Sequence, residues 1–316
     1  MGTAFLFPGQ GAQQVGMMAD LAELSPAARA VFDRADQQLG YSLSGLCFHG
    51  PAERLDATDV SQPAIFVCSA AILAAMDEVL HDHLPEVSMM AGLSLGEYTA
   101  LYAADALDFQ PALELVARRG RLMQAAAKAR PGGMVSIIGL DEPEVRRLCA
   151  AAAEGDELTC ANFNCPGQIV VSGAAAACDR AEALAKDFGA KGAVRLKVAG
   201  AFHSRFMEPA AEALAQAVEK VEFRRPRWPV VANVTAAPEN DPDTIRRNLV
   251  AQLTSPVRWA ESIQHMRDSG IEEFLEIGPG RVLAGLLRRI DRGASCRSIN
   301  SAGAVTRLVG QAAGGE

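Results

Sequence analysis

The chain has 316 residues, a length typical of two domains or of one large domain with an insertion. Apolar residues make up 49% and charged residues 22% of the sequence, which excludes a wholly disordered or fibrous protein. The net charge of −8 argues against a general nucleic-acid-binding protein, which would need a basic surface.

The seven cysteines are scattered and include no Cys-x-x-Cys pair. They predict neither a disulfide framework nor a zinc site, and an odd, scattered set is typical of the reducing cytosol. The N-terminus lacks the basic and apolar regions of a signal peptide. Polar residues interrupt the uncharged stretch 60–76, so we predict a buried helix starting at Pro63 and no membrane span.

Short apolar strands alternate with helices in the first 130 residues. We predict strands at 3–7 and 87–92 and helices at 95–107 and 111–129, the last ended by Pro-Gly-Gly. A strand at 273–277, near the other end of the chain, is also followed by a loop and a helix. Such strand–loop–helix units favour a parallel sheet with helices on both faces.

The stretch between these parts has a different order of elements. The predicted elements are a strand at 134–140, a helix at 143–153, strands at 158–163 and 168–172, a helix at 174–188 and a strand at 193–198. The order βαββαβ is typical of a ferredoxin-like unit. We therefore predict a small subdomain at 130–199, inserted into a larger α/β domain formed by 1–129 and 200–316.

The pattern Gly-x-Ser-x-Gly at 92–96 lies between a predicted strand and a predicted helix. In that context it is typical of a nucleophile elbow, in which small residues flank a sharp turn and lift the Ser94 hydroxyl off the sheet. The N–H of Leu95, at the helix start, would then face a developing oxyanion. The alternative is a plain glycine-rich turn between strand and helix.

A nucleophilic serine needs a base, and His203 is the candidate. It lies just ahead of a predicted helix that runs to about residue 220, and a helix N-terminus disfavours the imidazolium form. The alternative is a loop histidine held by hydrogen bonds without a catalytic role. The other histidines lie in polar, surface or loop positions: His49, His81, His83 and His265.

Arg119 interrupts the apolar side of the helix predicted at 111–129. At 100° per residue it falls in the middle of the apolar stripe. That stripe comprises Leu115, Val116, Leu122, Met123 and Ala126. A guanidinium directed at the core needs an anionic partner. The partner is either a buried Asp or Glu of the protein or the carboxylate of a substrate, gripped by two hydrogen bonds.

Taken together, the motifs resemble the malonyl-CoA:acyl carrier protein transacylases, the acyltransferases of type II fatty acid synthesis. The matching motifs are Phe-Pro-Gly-Gln-Gly-Ala-Gln at 7–13, Gly-Leu-Ser-Leu-Gly-Glu-Tyr at 92–98, Arg119-Gly120, Ala-Phe-His-Ser at 201–204, and Gln252-Leu253 with Pro256-Val257. The resemblance covers about 3–300. The family's fold is a hydrolase-like α/β domain with a ferredoxin-like insertion, as the order of elements predicts here.

The resemblance implies the catalytic roles. Ser94 would be the nucleophile that forms a malonyl ester, and His203 the general base. The backbone carbonyl of Gln252 would orient the imidazole in place of an acidic residue. The backbone N–H groups of Gln10 and Leu95 would form the oxyanion hole.

The resemblance also implies the substrate contacts. Arg119 would pair with the malonyl carboxylate, and Asn162 and Met134 would line the acyl and pantetheine path. Phe202 would narrow the pocket against an α-methyl group, a discrimination worth ~1–3 kcal/mol. Leu93 departs from the family, because many members carry His at this position, and the departure puts local packing in doubt without touching a catalytic role.

The implied reaction is a ping-pong transfer from malonyl-CoA to the phosphopantetheine thiol of acyl carrier protein, without a metal or another cofactor. The resemblance further implies a cytoplasmic monomer that contacts neither nucleic acid nor membrane. Three alternatives remain. One is a serine thioesterase, for which Asp179 or Asp187 would supply the acid. The others are a non-catalytic carrier-binding subunit and an in-trans acyltransferase of a polyketide pathway.

Carrier proteins of this family's pathway are acidic, so docking needs a local basic surface. The stretch 130–199 has eight basic and nine acidic residues, so it carries little of the net negative charge. The predicted docking residues are Arg180, Lys186, Lys191, Arg195 and Lys197, with Arg205 beside them. The alternative is an ordinary solvated charged surface.

Overall fold

The computed structural model describes residues 2–80 and 86–313, with side chains described up to residue 308. His81 and His83, predicted to be solvated, lie outside the described residues. The strands are β1 (Gly2–Phe7), β2 (Val87–Gly92), β3 (Gly132–Ile138), β4 (Leu158–Cys165), β5 (Gln168–Ala174), β6 (Gly192–Arg195), β7 (Val230–Val231), β8 (Pro238–Glu239), β9 (Ile271–Ile277) and β10 (Ser295–Ile299).

The helices surround two sheets formed by these strands. They are α1 (Ala19–Leu24), α2 (Pro26–Leu39), α3 (Leu43–His49), α4 (Ala52–Leu55), α5 (Thr58–Leu80), α6 (Gly96–Ala103), α7 (Phe109–Ala129), α8 (Glu142–Ala153), α9 (Ala175–Leu184), α10 (Glu208–Val218), α11 (Pro242–Ala251), α12 (Trp259–Asp268), α13 (Val282–Ile290) and α14 (Ala302–Ala313).

The larger sheet has six strands in the order β10-β9-β1-β2-β7-β8, parallel except for the β7–β8 pair. In β1 the side chains of Phe5 and Phe7 join one apolar core, while those of Ala4 and Leu6 join another. A strand that is apolar on both faces is typical of a parallel sheet covered by helices on both sides. The predicted α/β class with a parallel sheet is thus confirmed, and β2 has the predicted bounds.

Helix α5 corrects one predicted boundary, because it begins at Thr58 and contains Pro63. The Thr58 N–H donates to the side chain of Gln124 at 3.1 Å, and the Ala57 carbonyl accepts from the next turn. These caps complete a helical turn ahead of the proline. By length and composition α5 could cross a membrane, but 72% of its most apolar window is buried inside the protein.

The smaller sheet has four antiparallel strands in the order β4-β5-β3-β6 and carries α8 and α9. It has an apolar core of its own, which includes Val135, Leu148 and Val171. Strand β6 ends at Arg195, earlier than predicted, because only 192–195 pair with β3. The chain then continues irregularly through 196–204 towards the larger sheet.

One contact ties the smaller sheet to the segment after α11. The Phe163 N–H donates to the Val257 carbonyl at 2.9 Å, and the Val257 N–H donates to the Ala161 carbonyl at 2.8 Å. Asn162, which lies between Ala161 and Phe163, is therefore held beside Val257.

All seven cysteines are free thiols, six of them buried and Cys296 partly buried. Among residues 2–80 and 86–313, no group of three or more His, Cys, Asp or Glu side chains is arranged to hold a metal ion.

Candidate active site

Ser94 lies at the carboxyl end of β2 in the left-handed backbone region, with φ of 54°. The turn is possible because glycines flank it. A Cβ on Gly92 would lie 1.8 Å from the carbonyl carbon of Gly96, and a Cβ on Gly96 would lie 2.1 Å from the Phe7 carbonyl oxygen. Strand, sharp turn and helix α6 follow one another as the nucleophile-elbow hypothesis requires.

Asn233, two residues beyond β7, braces this turn. Its side-chain oxygen accepts from the Ser94 N–H at 2.6 Å, and its side-chain amide donates to the Gly92 carbonyl at 2.7 Å. Both bonds offset the cost of a non-glycine residue at positive φ.

His203 and Ser94, which are 109 residues apart, are in hydrogen-bond contact. The Ser94 Oγ lies 2.9 Å from Nε2 of His203, and the Nδ1 of His203 lies 2.8 Å from the Gln252 carbonyl oxygen. With Nδ1–H donating to that carbonyl, Nε2 is free to accept the serine proton.

The electrostatic environment keeps His203 neutral. Burial lowers its pKa to about 4, the Arg119 charge adds to the lowering, and the hydrogen bond to Gln252 opposes it. The sequence-based expectation of a neutral imidazole had a different cause, a helix N-terminus. In the structure, the lowered pKa is caused by desolvation and by the nearby cation.

Arg119 is 1% exposed and points into the same site. It donates to the side chains of Gln62 at 2.7 Å and Gln252 at 2.8 Å, and to Ser94 Oγ at 3.0 Å. Its Nε is buried without a partner. None of its hydrogen-bond partners among the described residues is a carboxylate. Arg119 is therefore not buried in order to form an ion pair with an Asp or Glu of the protein, which was one of the two alternatives predicted from the sequence.

Gln252 contacts Ser94, His203 and Arg119. Its backbone carbonyl accepts from His203, its side-chain oxygen accepts from Arg119, and its side-chain amide donates to the Ser94 carbonyl at 3.0 Å. The same amide donates to Glu97 Oε2 at 2.8 Å. One residue thereby fixes the relative positions of nucleophile, base and guanidinium.

Gln62, Glu97 and Asn233 belong to the site but were not predicted from the sequence. Glu97 and Gln62 each carried a signal of the kind that identified Arg119, a polar side chain on an otherwise apolar helix segment. Asn233 carried only its position just after an apolar strand.

A cavity of ≈ 260 Å³ opens above Ser94. The predicted residues Gln10, Leu95, Met134, Asn162 and Phe202 all line it, together with Ser94, Arg119 and His203. Apolar side chains such as Val170 and Leu196 also line it, and so do the polar side chains of Asn164 and Gln168.

Both predicted oxyanion-hole residues line the cavity. Leu95 is the N-cap of α6, and its backbone N–H donates to no protein group in any described hydrogen bond. The same holds for the N–H of Gln10, whose side chain instead donates to Thr58 Oγ1 at 3.3 Å. Two free N–H groups beside a nucleophile are suited to a developing oxyanion.

Leu93 also lines the cavity. It stands at the position where many members of the family that the sequence resembles carry His. Its backbone N–H donates to the Phe7 carbonyl at 3.0 Å, and its side chain packs against the core that contains Ala4 and Leu6. An apolar side chain is compatible with that packing.

Neither predicted acid of the thioesterase alternative reaches the histidine. Asp179 is exposed and pairs with Arg195 at 3.0 Å, and Asp187 lies on an exposed turn after α9. The third member of the Ser94–His203 arrangement is a backbone carbonyl.

The predicted docking residues fall into two groups. Arg180 is paired with Asp156 at 2.7 Å and Arg205 with Glu208 at 3.2 Å, and Arg195 is engaged by Asp179. The lysines of the set are exposed and form no ion pair with any described residue: Lys186, Lys191 and Lys197.

Comparison with known proteins gives a consistent picture. A family model described as acyl transferase domain matches residues 4–312. The malonyl CoA-acyl carrier protein transacylase of Haemophilus influenzae is 46% identical over 94% of this chain and 95% of its own. The one from Bacillus subtilis is 43% identical over 92% and 90%.

Solved structures are similar along the whole length. The malonyl CoA-acyl carrier protein transacylase of Coxiella burnetii has a TM-score of 0.94 at 40% identity and covers 98% of both chains. A malonyl-transacylase in complex with a type II polyketide synthase acyl-carrier protein has a TM-score of 0.93 at 41% identity, covering 98% of this chain and 100% of its own.

Proposed function

The chain belongs to the acyl transferase family, and we propose that, like its malonyl CoA-acyl carrier protein transacylase relatives, it moves a malonyl group from coenzyme A to the phosphopantetheine thiol of an acyl carrier protein. The observation that carries the choice of malonyl is Arg119. Its guanidinium is buried 3.0 Å from the nucleophile with only neutral partners, so a carboxylate on the acyl group would supply the missing anion.

The first half-reaction acylates the protein. Ser94 Oγ attacks the thioester carbonyl carbon while His203 Nε2 takes the hydroxyl proton, and the oxyanion is held by the N–H groups of Gln10 and Leu95. The C–S bond then breaks, and His203 returns its proton to the departing coenzyme A sulfur. The product is a malonyl ester on Ser94.

The second half-reaction repeats these steps in reverse order. The carrier thiol gives its proton to His203 as its sulfur attacks the ester carbonyl, and the Ser94 oxygen recovers that proton as it leaves. Because the pKa of His203 is lowered to about 4, the imidazole is neutral at the start of each half-reaction and can accept a proton.

Arg119 has two functions in this scheme. It holds the malonyl carboxylate, which excludes acyl groups that lack one, and it places the thioester carbon next to Ser94. Gln62 and Gln252 keep the guanidinium in place from the other side. In the free protein the bond to Ser94 Oγ occupies the donor that the malonyl carboxylate would take.

A polyketide pathway is the second candidate for the carrier protein. One structural relative was solved with a type II polyketide synthase carrier, and the chemistry of the two pathways is the same. A thioesterase is disfavoured, because a backbone carbonyl and no acid orients His203, and because Arg119 is placed to bind a carboxylate on the acyl group.

We assign the architecture in the same terms. Residues 130–199 would be an inserted ferredoxin-like subdomain, supported by the βαββαβ order and the antiparallel strand order β4-β5-β3-β6. Residues 1–129 and 200–316 would form a hydrolase-like domain, supported by the parallel sheet and the elbow after β2. A monomer in the cytoplasm remains the prediction for its state and location.

For carrier docking we propose a surface that the sequence analysis did not single out. The α13 arginine surface comprises Arg281, Arg288, Arg289 and Arg292, all exposed and free of ion pairs with the described residues. Val282 and Leu286 of the same helix line the active-site cavity, and Arg289 donates to Gln168, another lining residue. Unpaired cations at the cavity edge suit an acidic partner and its phosphodiester.

Intact-protein mass spectrometry after brief incubation with malonyl-CoA tests the function directly. We expect one malonyl adduct that is absent in Ser94→Ala and disappears when carrier protein is added, with malonyl appearing on the carrier. An adduct that is hydrolysed to free malonate whether or not carrier protein is present would identify a thioesterase. A folded protein without an adduct would contradict the proposal.

A further inference from the structure

Glu97 is buried at the centre of the site, yet the reaction steps above do not use it. It lies in the first turn of α6, one turn after Ser94, and is 0% exposed. Its Oε2 accepts two hydrogen bonds, one from the Gln252 side-chain amide at 2.8 Å and one from the Asn233 backbone N–H at 3.0 Å. Burying a carboxyl group is costly, so its retention here calls for a reason.

The two donors to Glu97 are the two residues that hold the nucleophile and the guanidinium. Gln252 contacts His203, Arg119 and the Ser94 carbonyl, while Asn233 holds the Ser94 N–H and the Gly92 carbonyl. We propose that Glu97 is a positioning residue that sets the amide orientation of Gln252 and thereby the carboxylate-binding geometry of Arg119.

The two ends of the Gln252 amide face different neighbours. Its oxygen must face Arg119 and its NH₂ must face the opposite way, since a flipped amide would direct N–H groups at the guanidinium. Glu97 Oε2 is an acceptor fixed on the NH₂ side, so only one orientation satisfies both neighbours. Without that acceptor, the NH₂ group keeps only the Ser94 carbonyl as an acceptor, and Gln252 loses one of the three contacts that favour the observed orientation.

The positioning function does not require a charge on Glu97. Burial and the nearby Glu239 raise the pKa of Glu97 to about 8, although the hydrogen bonds and Arg119 oppose the rise. Its other oxygen, Oε1, has no partner, so a proton there leaves Oε2 free to accept both bonds. A glutamine with its oxygen at the Oε2 position would do the same.

The experiment measures kcat/KM for malonyl-CoA and for acetyl-CoA, each with the same carrier protein, in four variants of the full chain. Glu97→Met removes the acceptor at similar volume, and Glu97→Asp withdraws it by one methylene. We expect both to lower the malonyl-to-acetyl ratio roughly 10–100-fold, because a misoriented Gln252 amide loses its hydrogen bond to the charged Arg119. Glu97→Gln should keep the ratio within about 3-fold of the wild-type value.

Glu239→Gln is the matched control. Glu239 is also buried, and burial raises its pKa to about 7, but its hydrogen-bond partner is Asn248 and not Gln252. We expect its substitution to leave the ratio unchanged. A structural role alone would lower the melting temperature of the Glu97 variants without altering the ratio per acylated site, counted by mass spectrometry.

The inference rests on the proposed function, and the two fail differently. If wild-type protein forms no malonyl ester, the function is wrong. If wild-type protein transfers malonyl and folded Glu97→Met or Glu97→Asp keeps the wild-type ratio, the positioning role is wrong. Should neither variant fold, Glu97→Gln decides the matter: a retained ratio supports the role, and a 10-fold loss overturns it.

Discussion

The six-stranded and four-stranded sheets both line the active-site cavity, but they contribute different kinds of contact. Segments at the carboxyl ends of β2 and β7, together with the end of α11, supply hydrogen bonds of 2.6–3.0 Å among Ser94, Asn233 and Gln252. The smaller sheet lines the cavity with both polar and apolar side chains, and none of them hydrogen-bonds to Ser94, His203 or Arg119 in the described structure. These lining residues are Met134, Asn162, Asn164, Gln168 and Val170.

The difference separates what determines rate from what determines selectivity. A hydrogen-bonded group near the reacting atoms no longer supports catalysis when it moves by an ångström. A side chain that only packs against the substrate loses contact area gradually. Substitutions beside the six-stranded sheet should therefore change rates by orders of magnitude. Substitutions in the smaller sheet should change the preference among acyl groups by modest factors.

Removing the nucleophile should have the largest effect. We expect Ser94→Ala to lower kcat for malonyl transfer by about 10⁴-fold or more, because no other hydroxyl is in contact with His203 Nε2 in the described structure. Steady-state transfer to carrier protein, with the adduct mass as the second readout, checks this. A residual rate within 100-fold of wild type would contradict the assignment of the rate to the residues beside the six-stranded sheet.

Arg119 should come next, and its effect should depend on the substrate. For Arg119→Met we expect kcat/KM for malonyl-CoA to fall roughly 10²–10³-fold, since a buried carboxylate loses its charged donors. Acetyl-CoA has no carboxylate, so its rate should change much less. Parallel assays with both thioesters measure this, and an equal loss on both would remove Arg119 from substrate recognition.

The pH dependence should reveal the buried base. Because the pKa of His203 is lowered to about 4, the imidazole is unprotonated at every pH above that value, and kcat/KM should fall only below about pH 5. Arg119 contributes to the lowering, so Arg119→Met should move the acid limb to higher pH. A wild-type limb centred near the ordinary histidine value of about 6.5 would contradict this electrostatic account.

A pair of neighbouring valines on β5 sharpens the comparison within the smaller sheet. Val170 lines the cavity, while Val171 faces the core of the smaller sheet. We expect Val170→Ala to raise the rate with methylmalonyl-CoA relative to malonyl-CoA by about 10-fold, the scale of one methyl group.

Val171→Ala removes the same volume from the opposite face. It should cost about 1.5–3 kcal/mol of unfolding free energy and leave the substrate ratio unchanged. Thermal melts and competition between the two thioesters distinguish the cases. If both variants change the ratio alike, the wall transmits strain and is not a passive surface.

Charge reversal should give the smallest effect. We expect Arg288→Glu with Arg292→Glu to raise the KM for carrier protein a few-fold at low salt, and less at high salt, without changing hydrolysis of the acyl-enzyme. The same assay on Lys186→Glu with Lys191→Glu tests the surface predicted from sequence. An effect confined to the lysine pair would move the docking surface from α13 to the smaller sheet.

The sequence was most informative where a pattern is local. The elbow around Ser94 lies within five residues, and the helical period alone placed Arg119 in the core. Asn233 could not be found in this way, because its contacts join residues more than 130 positions apart. The start of α5 was misplaced because Gln124, on another helix, caps it.

The burial of the free cysteines has a consequence for the proposed reaction. Coenzyme A and the carrier arm both end in a sulfhydryl, so every turnover brings a foreign thiol to the protein. Burial raises the pKa of the Cys165 thiol, and it raises that of Cys296 to about 12. Exchange with an oxidised cofactor requires an accessible thiolate. Since six of the seven thiols are buried, a protein that handles thiols continuously keeps most of its own sulfur away from mixed-disulfide formation.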